Sequence, residues 1–161
     1  MTPALYDYIT DYATGYSGRV LEFGSRPADG QHALAIKPLF LSHIGVDIEP
    51  GDCVDIVRDV TLPNTTLPEI ETADTVLCLE TLEHMPRFWR FLERLWSMRP
   101  GATLILSFPW FEFPYHPHPV DCYRFSEDAV PALTEGFVID EVRKLSDGHG
   151  HYTVVVKATK D

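Results

Sequence analysis

Val20-Leu21-Glu22-Phe23-Gly24 constrains this chain more than any other stretch. A short apolar run ending in an acid and a glycine suits a buried parallel strand that hands its chain to a tight turn, where the missing Cβ lets the backbone approach a ligand. Asp47 closes a second apolar run, Ile44-Gly45-Val46. A carboxylate at a strand end can accept a hydrogen bond from each hydroxyl of a ribose. Two strand-end acids beside one glycine turn point to an adenosine-type ligand on an open α/β sheet.

Size and charge narrow the field. At 161 residues, 45% apolar, residues 1–161 read most simply as a single domain with one sizeable core. The net charge of −11 repels a phosphate backbone, so nucleic acid is an unlikely partner and a small-molecule substrate is expected. The three cysteines, Cys53, Cys78 and Cys122, are odd in number and form no CxxC pair, which argues against a disulfide scaffold or a zinc ribbon. No run is long and apolar enough for a membrane span and no signal core opens the chain, so a cytoplasmic location is expected.

Periodicity places the elements. Leu5, Tyr8, Ile9 and Tyr12 fall at helical spacing behind Thr2 as N-cap and Pro3 at the first helical position. Residues 19 to 23 read as the first strand, 29 to 37 as a short helix ended by Pro38, and 43 to 47 as the second strand. The segment after Ile48 is too short for a helical crossover, so the third strand is expected to be short, irregular or absent. Residues 60 to 73 read as a loop, 74 to 79 as a buried strand, and Pro86 as the opening of a helix striped by Phe88, Phe91, Leu92 and Leu95. Residues 102 to 108 form the next strand. Ser126 reads as the cap of a helix kept short by Pro131, and residues 136 to 144 and 151 to 158 as an antiparallel hairpin.

In this order the motifs resemble those of the Rossmann-like, S-adenosylmethionine-dependent methyltransferases, of the small methyltransferase-11-like type. Val20 to Gly24 is similar to the family's first motif, Gly45-Val46-Asp47-Ile48 to the ribose-binding second, and Arg58-Asp59-Val60-Thr61-Leu62-Pro63 to the third. Ala73 to His84, a strand running into Glu83-His84, resembles the fourth, and Arg99-Pro100-Gly101 the turn into the fifth strand. The resemblance implies an α/β sheet, mostly parallel with a C-terminal antiparallel hairpin and here trimmed at the third-strand edge. It implies S-adenosylmethionine as cofactor, held by Glu22, Gly24, Ser25, Asp47, Ile48, Asp59, Val60 and Glu80. One departure is the replacement of the usual further glycines by Ser25-Arg26-Pro27-Ala28-Asp29-Gly30. The same departure weakens a dehydrogenase reading, because a dinucleotide pyrophosphate needs those glycines at the helix N-terminus.

Methyl transfer is an in-line displacement that needs alignment and exclusion of water more than a particular catalytic group. His84 is the nearest candidate for a general base, its alternative role being to brace the following helix. Glu22 either meets the methionine amine, as the resemblance implies, or ties the glycine turn to its neighbours. The loop Trp110 to Phe125, rich in proline, histidine and aromatics, reads as a lid, with His116, His118, Asp121, Tyr123 and Arg124 as substrate-binding candidates. A structural role for the loop, or metal binding through His116, His118, Asp121 and Cys122, are the alternatives; no common closed zinc spacing is present and no metal is expected. Two rival functions follow, a non-catalytic partner-binding module and a metal-assisted hydrolase. Trimming at one sheet edge also makes a homodimer possible.

Overall fold

The computed structural model describes residues 1–28 and 31–161. Among these residues are seven strands, β1 (Arg19–Phe23), β2 (Ser42–Asp47), β3 (Ile56–Val57), β4 (Thr75–Leu79), β5 (Thr103–Pro109), β6 (Phe137–Ser146) and β7 (Tyr152–Lys160), and they lie in the order β3-β2-β1-β4-β5-β7-β6. β3 to β5 pair in parallel, while β7 runs antiparallel to both β5 and β6. The helices are α1 (Pro3–Ala13), α2 (Glu69–Thr72), α3 (Phe88–Leu95) and α4 (Val130–Leu133).

Alternation along the strands builds a core on each face of the sheet. Leu21, Phe23, Val76, Cys78, Leu104 and Leu106 point to the face covered by Phe91 and Leu95 of α3 and Val130 and Leu133 of α4. Val20, Leu77, Leu79 and Ile105 point to the other, where α1 supplies Leu5 and Ile9. Phe91 closes the first layer by packing edge-on against Phe23, centroids 4.9 Å apart. Full burial of such a ring is worth about 1.5–3 kcal/mol. The free thiol of Cys78 is part of this core, whereas Cys122 is exposed.

α1 begins as its sequence dictates, with Thr2 accepting a hydrogen bond from the Leu5 amide. The third strand is reduced to two residues, paired with Val46 and Asp47. Its approach is irregular because Asp55 takes over strand contacts: its carboxylate accepts the Gly45 amide at 2.8 Å and binds Lys37 Nζ at 2.5 Å.

Four expectations need correction. The helix expected over 29 to 37 begins on two residues outside those described, and the rest is two separate 3-10 turns, His32–Leu34 and Lys37–Leu39, with Pro38 inside the second. The loop expected over 60 to 73 contains α2, which buries Ile70. Pro86 does not open α3 directly: Leu82–His84 forms a 3-10 turn, and α3 starts only at Phe88. Ser126 stands at the N-cap of a further 3-10 turn, Glu127–Ala129, but its side chain makes no capping bond.

Asp74 ties three strands together at the edge opposite the site. Its carboxylate accepts the Arg19 amide at 2.6 Å and pairs with Arg99, while its own carbonyl accepts the Thr103 amide at 3.0 Å. The Arg19 amide bond and the Arg99 guanidinium hold this carboxyl below its ordinary value. For an acid lowered in the folded state, the stabilisation is present above the unfolded value and is lost as pH falls through the folded one. Asp74→Asn is therefore expected to cost about 1 kcal/mol at neutral pH, with wild type and variant converging near about pH 2. Thermal melts across that range check it.

Candidate active site

The carboxyl ends of β1, β2 and β4 meet where the strand order reverses, between β1 and β4, which is where open α/β sheets bind ligands. Gly24 leaves β1 with φ +73°, and its amide and that of Ser25 both donate to the Val46 carbonyl, at 2.9 and 3.3 Å. A Cβ on Gly24 would stand 2.1 Å from Thr81 Oγ1. Backbone conformation and the β4 loop thus both demand glycine here.

Beneath this turn lies Glu22, buried and hydrogen-bonded to His43 Nε2 at 2.8 Å. Burial raises the Glu22 carboxyl above its ordinary value, and His43 opposes the rise. The contact is a bracing one between neighbouring strands: Val20 is opposite His43 and Glu22 opposite Gly45, so Glu22 and His43 are diagonal neighbours on one face. Ser25 is buried with its hydroxyl unpaired among the described residues.

Asp47 ends β2 with a carboxylate already oriented by the chain around it. Oδ2 accepts the Arg26 amide at 3.2 Å and Oδ1 the Glu49 amide at 3.0 Å. A carboxylate has about four lone-pair sites, so this pinning leaves capacity toward the cavity. Asp59 is held likewise, with Oδ1 accepting the Thr61 amide at 2.8 Å and its hydroxyl at 2.6 Å. Glu80 follows β4 with φ +47°. Thr153 Oγ1 donates to its Oε1 at 2.6 Å, and Oε2 lies 3.1 Å from the Met1 ammonium.

All eight cofactor candidates, Glu22, Gly24, Ser25, Asp47, Ile48, Asp59, Val60 and Glu80, line one cavity of about 490 Å³. His84, His116 and His118 line it from the lid side. The volume lies within the range of small-molecule and cofactor pockets.

The other lid candidates are not brought to that cavity. Arg124 spends its fork inside the loop, on Asp121 and on the carbonyls of Phe113 at 3.1 Å, Pro114 at 2.8 Å and Tyr123 at 2.8 Å. The Asp121 side chain is 1% exposed, and it also accepts the His116 amide at 2.7 Å. The Arg124 guanidinium holds the Asp121 carboxyl well below the usual carboxylate range. Tyr123 donates to the Pro86 carbonyl at 2.9 Å, and its ring joins Phe88 and Phe125. Asp121, Tyr123 and Arg124, expected at the substrate, instead form the internal frame that fixes the loop and positions His116. Nor does the set His116, His118, Asp121 and Cys122 gather: Cys122 is exposed, and its amide donates to the Glu83 carbonyl at 2.9 Å.

Two residues outside the expected set prove important in this geometry. His43 braces Glu22; its signal was a lone polar side chain two residues before Gly45 on a strand facing β1. Glu83 is fully buried behind His84 and His116, each of which presents Nε2 at 3.6 Å from Glu83 Oε1. Burial pushes the Glu83 carboxyl up, and Glu83 in turn raises the His116 imidazole. His84 Nδ1 lies 2.5 Å from the Val120 carbonyl, so this histidine braces the lid rather than α3.

No protein-family model matches the chain, and no curated protein matches it. Solved structures do. The 1,6-didemethyltoxoflavin-N1-methyltransferase of Burkholderia thailandensis, bound to 1,6-didemethyltoxoflavin and S-adenosylhomocysteine, is 16% identical over 97% of this chain and 76% of its own, with a TM-score of 0.72. The magnesium protoporphyrin IX methyltransferase of Synechocystis with bound S-adenosylmethionine is also 16% identical, over 98% of this chain and 78% of its own, with a TM-score of 0.60. The small RNA methyltransferase HEN1 is 17% identical over 98% of this chain but only 25% of its own, with a TM-score of 0.70. The fold is accordingly the Rossmann-like α/β fold found in S-adenosylmethionine-dependent methyltransferases. Among the described residues, no helix is long and apolar enough to cross a membrane.

Proposed function

We propose that this protein is an S-adenosylmethionine-dependent methyltransferase, of the small methyltransferase-11-like type, acting on a small or medium-sized acceptor. The observation that carries the reading is the convergence of Glu22, the Gly24 turn, Asp47 and Asp59 on one cavity at the strand-order switch. Those groups suit the cofactor: Asp47 offers a pre-aimed carboxylate for ribose hydroxyls, the Gly24 turn a close backbone approach, and Ile48 and Val60 apolar surface for an adenine ring. When bound, S-adenosylmethionine supplies an activated methyl group.

The chain's own residues do the remaining work. Gly24 and Ser25 set the floor of the cavity, Glu22 and His43 keep that floor rigid, and the Arg124–Asp121 frame holds the lid across the mouth against water. His84 and His116 line the acceptor side; with His84 Nδ1 on the Val120 carbonyl, its Nε2 is the nitrogen that can receive a proton from a hydroxyl or an acid when no cation occupies it. The acidic surface favours small acceptors over RNA.

Incubation with methyl-labelled S-adenosylmethionine and a panel of small hydroxyl, carboxyl and amine acceptors tests the reading, with RNA as a separate arm. Label is expected in a small-molecule product. Label in RNA overturns the acceptor class, and cofactor binding without transfer to any acceptor supports the partner-binding module instead. A homodimer formed through the short β3 edge belongs to the same proposal, and a solution mass of 18.3 kDa by light scattering would overturn it.

A further inference from the structure

Glu83 is a buried carboxylate whose environment calls for a cation. It is 0% exposed, yet neither carboxylate oxygen has a hydrogen-bond partner among the described residues. Buried carboxylates are normally paired, hydrogen-bonded or bound to a cation.

Two imidazoles stand beside it, each with a backbone carbonyl at Nδ1. His84 Nδ1 is 2.5 Å from the Val120 carbonyl, and His116 Nδ1 is 3.0 Å from the Pro114 carbonyl. A carbonyl only accepts, so His84 Nδ1 carries the hydrogen, and in a neutral ring Nε2 is left with a lone pair. His116 Nδ1 has two acceptors, the Pro114 carbonyl at 3.0 Å and Asp121 Oδ2 at 3.4 Å, beside one donor, Arg124 Nη2 at 3.3 Å; the shorter carbonyl contact favours the same arrangement there. Both Nε2 atoms face Glu83 Oε1 at 3.6 Å, and one ligand atom from each of the three residues lies within 4.8 Å of the other two. An outer carbonyl on the far ring nitrogen is the usual arrangement behind a metal-binding histidine.

We propose that Glu83, His84 and His116 form a site for one divalent transition-metal ion in the wall of the active-site cavity. Donors about 2.0–2.1 Å from a tetrahedral cation stand roughly 3.4 Å apart, close to the 3.6 Å separations here. Two imidazoles and one carboxylate favour ions such as zinc, iron(II), cobalt(II) or manganese(II) over magnesium or calcium, which take mainly oxygen.

The supports hold the ligands from both sides. Glu83 and His84 sit on the 3-10 turn after β4, and His116 comes from the lid, tied down by its amide to Asp121. The Cys122 amide on the Glu83 carbonyl fastens the lid to that turn. His84 and His116 line the cavity whereas Glu83 lies behind them, so a cation held by all three would stand in the cavity wall. The site is distinct from the His116 to Cys122 set considered on sequence, since its carboxylate comes from β4's end and not from the loop.

Titration of chelator-treated, full-length protein with zinc chloride and manganese chloride, without S-adenosylmethionine, tests the site separately from the cofactor reading. One equivalent is expected to bind, and chelator is expected to lower the melting temperature of the metal-loaded protein. His84→Asn and His116→Asn should each weaken binding at least about tenfold, while His149→Asn, on the exposed hairpin turn, should bind as wild type. Cobalt(II) should give visible ligand-field absorption in wild type that is lost in both site variants. Glu83→Gln should also lose the metal; if it fails to fold, the two histidine variants, whose side chains are partly exposed, decide the matter. Absence of stoichiometric uptake, or uptake unchanged in His84→Asn and His116→Asn, overturns the proposal.

Discussion

Replacing Asp47 by alanine is expected to weaken S-adenosylmethionine binding by about 100-fold, about 2.7 kcal/mol, while the protein stays folded. Two hydrogen bonds from ribose hydroxyls to an ionised acceptor are worth about 1.5–3 kcal/mol each at most. The loss should approach that of the stronger bond because the Arg26 and Glu49 amides fix the carboxylate in advance. Asp47→Asn keeps one oxygen and the side-chain size, so its loss should be nearer tenfold, roughly 1.4 kcal/mol. Calorimetric titration beside a thermal melt separates lost contact from lost fold. Affinity unchanged in Asp47→Ala would remove Asp47 from the site.

Gly24→Ala is expected to damage both stability and binding. The left-handed backbone at φ +73° costs an alanine about 1–2 kcal/mol. The new methyl group would also stand 2.1 Å from Thr81 Oγ1, a distance that forces the turn or the β4 loop to move. A total loss of roughly 2–4 kcal/mol follows, which for a protein of this size lowers the melting temperature by about 4–16 °C. Since that turn is the cavity floor, cofactor binding should be lost as well. Adding Thr81→Ala should recover part of the stability and none of the backbone strain. A Gly24→Ala protein that melts and binds like wild type would show that the turn has no such constraint.

How much of this was legible depended on the kind of interaction. β4 and β5 announce themselves because strands covered on both faces are unbroken apolar runs, and α1 because its cap, proline and apolar stripe agree. α2 escaped notice because four residues carry no periodicity, and only the burial of Ile70 in the folded core creates it. The segment before Pro38 reads as one short helix, yet tertiary contacts such as Lys37 on Asp55 accompany 3-10 turns instead.

The site shows the same division. Acids at strand ends could be placed on one cavity because strand direction alone aims them there. Arg124 and Asp121 looked substrate-facing because charged groups in an aromatic loop suggest recognition, but three residues apart they satisfy each other. In the sequence Glu83 is only the residue before His84 at the end of the fourth motif. Its burial and its two imidazole neighbours depend on where the lid folds back, which spacing along the chain does not encode.

The most direct measurement is calorimetric titration of the wild-type protein with S-adenosylmethionine and S-adenosylhomocysteine, with NAD as the control. Saturable binding of one equivalent of each adenosyl ligand, and none of NAD, is the expected result. Failure to bind either adenosyl ligand would contradict the assignment of the cavity at the ends of β1, β2 and β4.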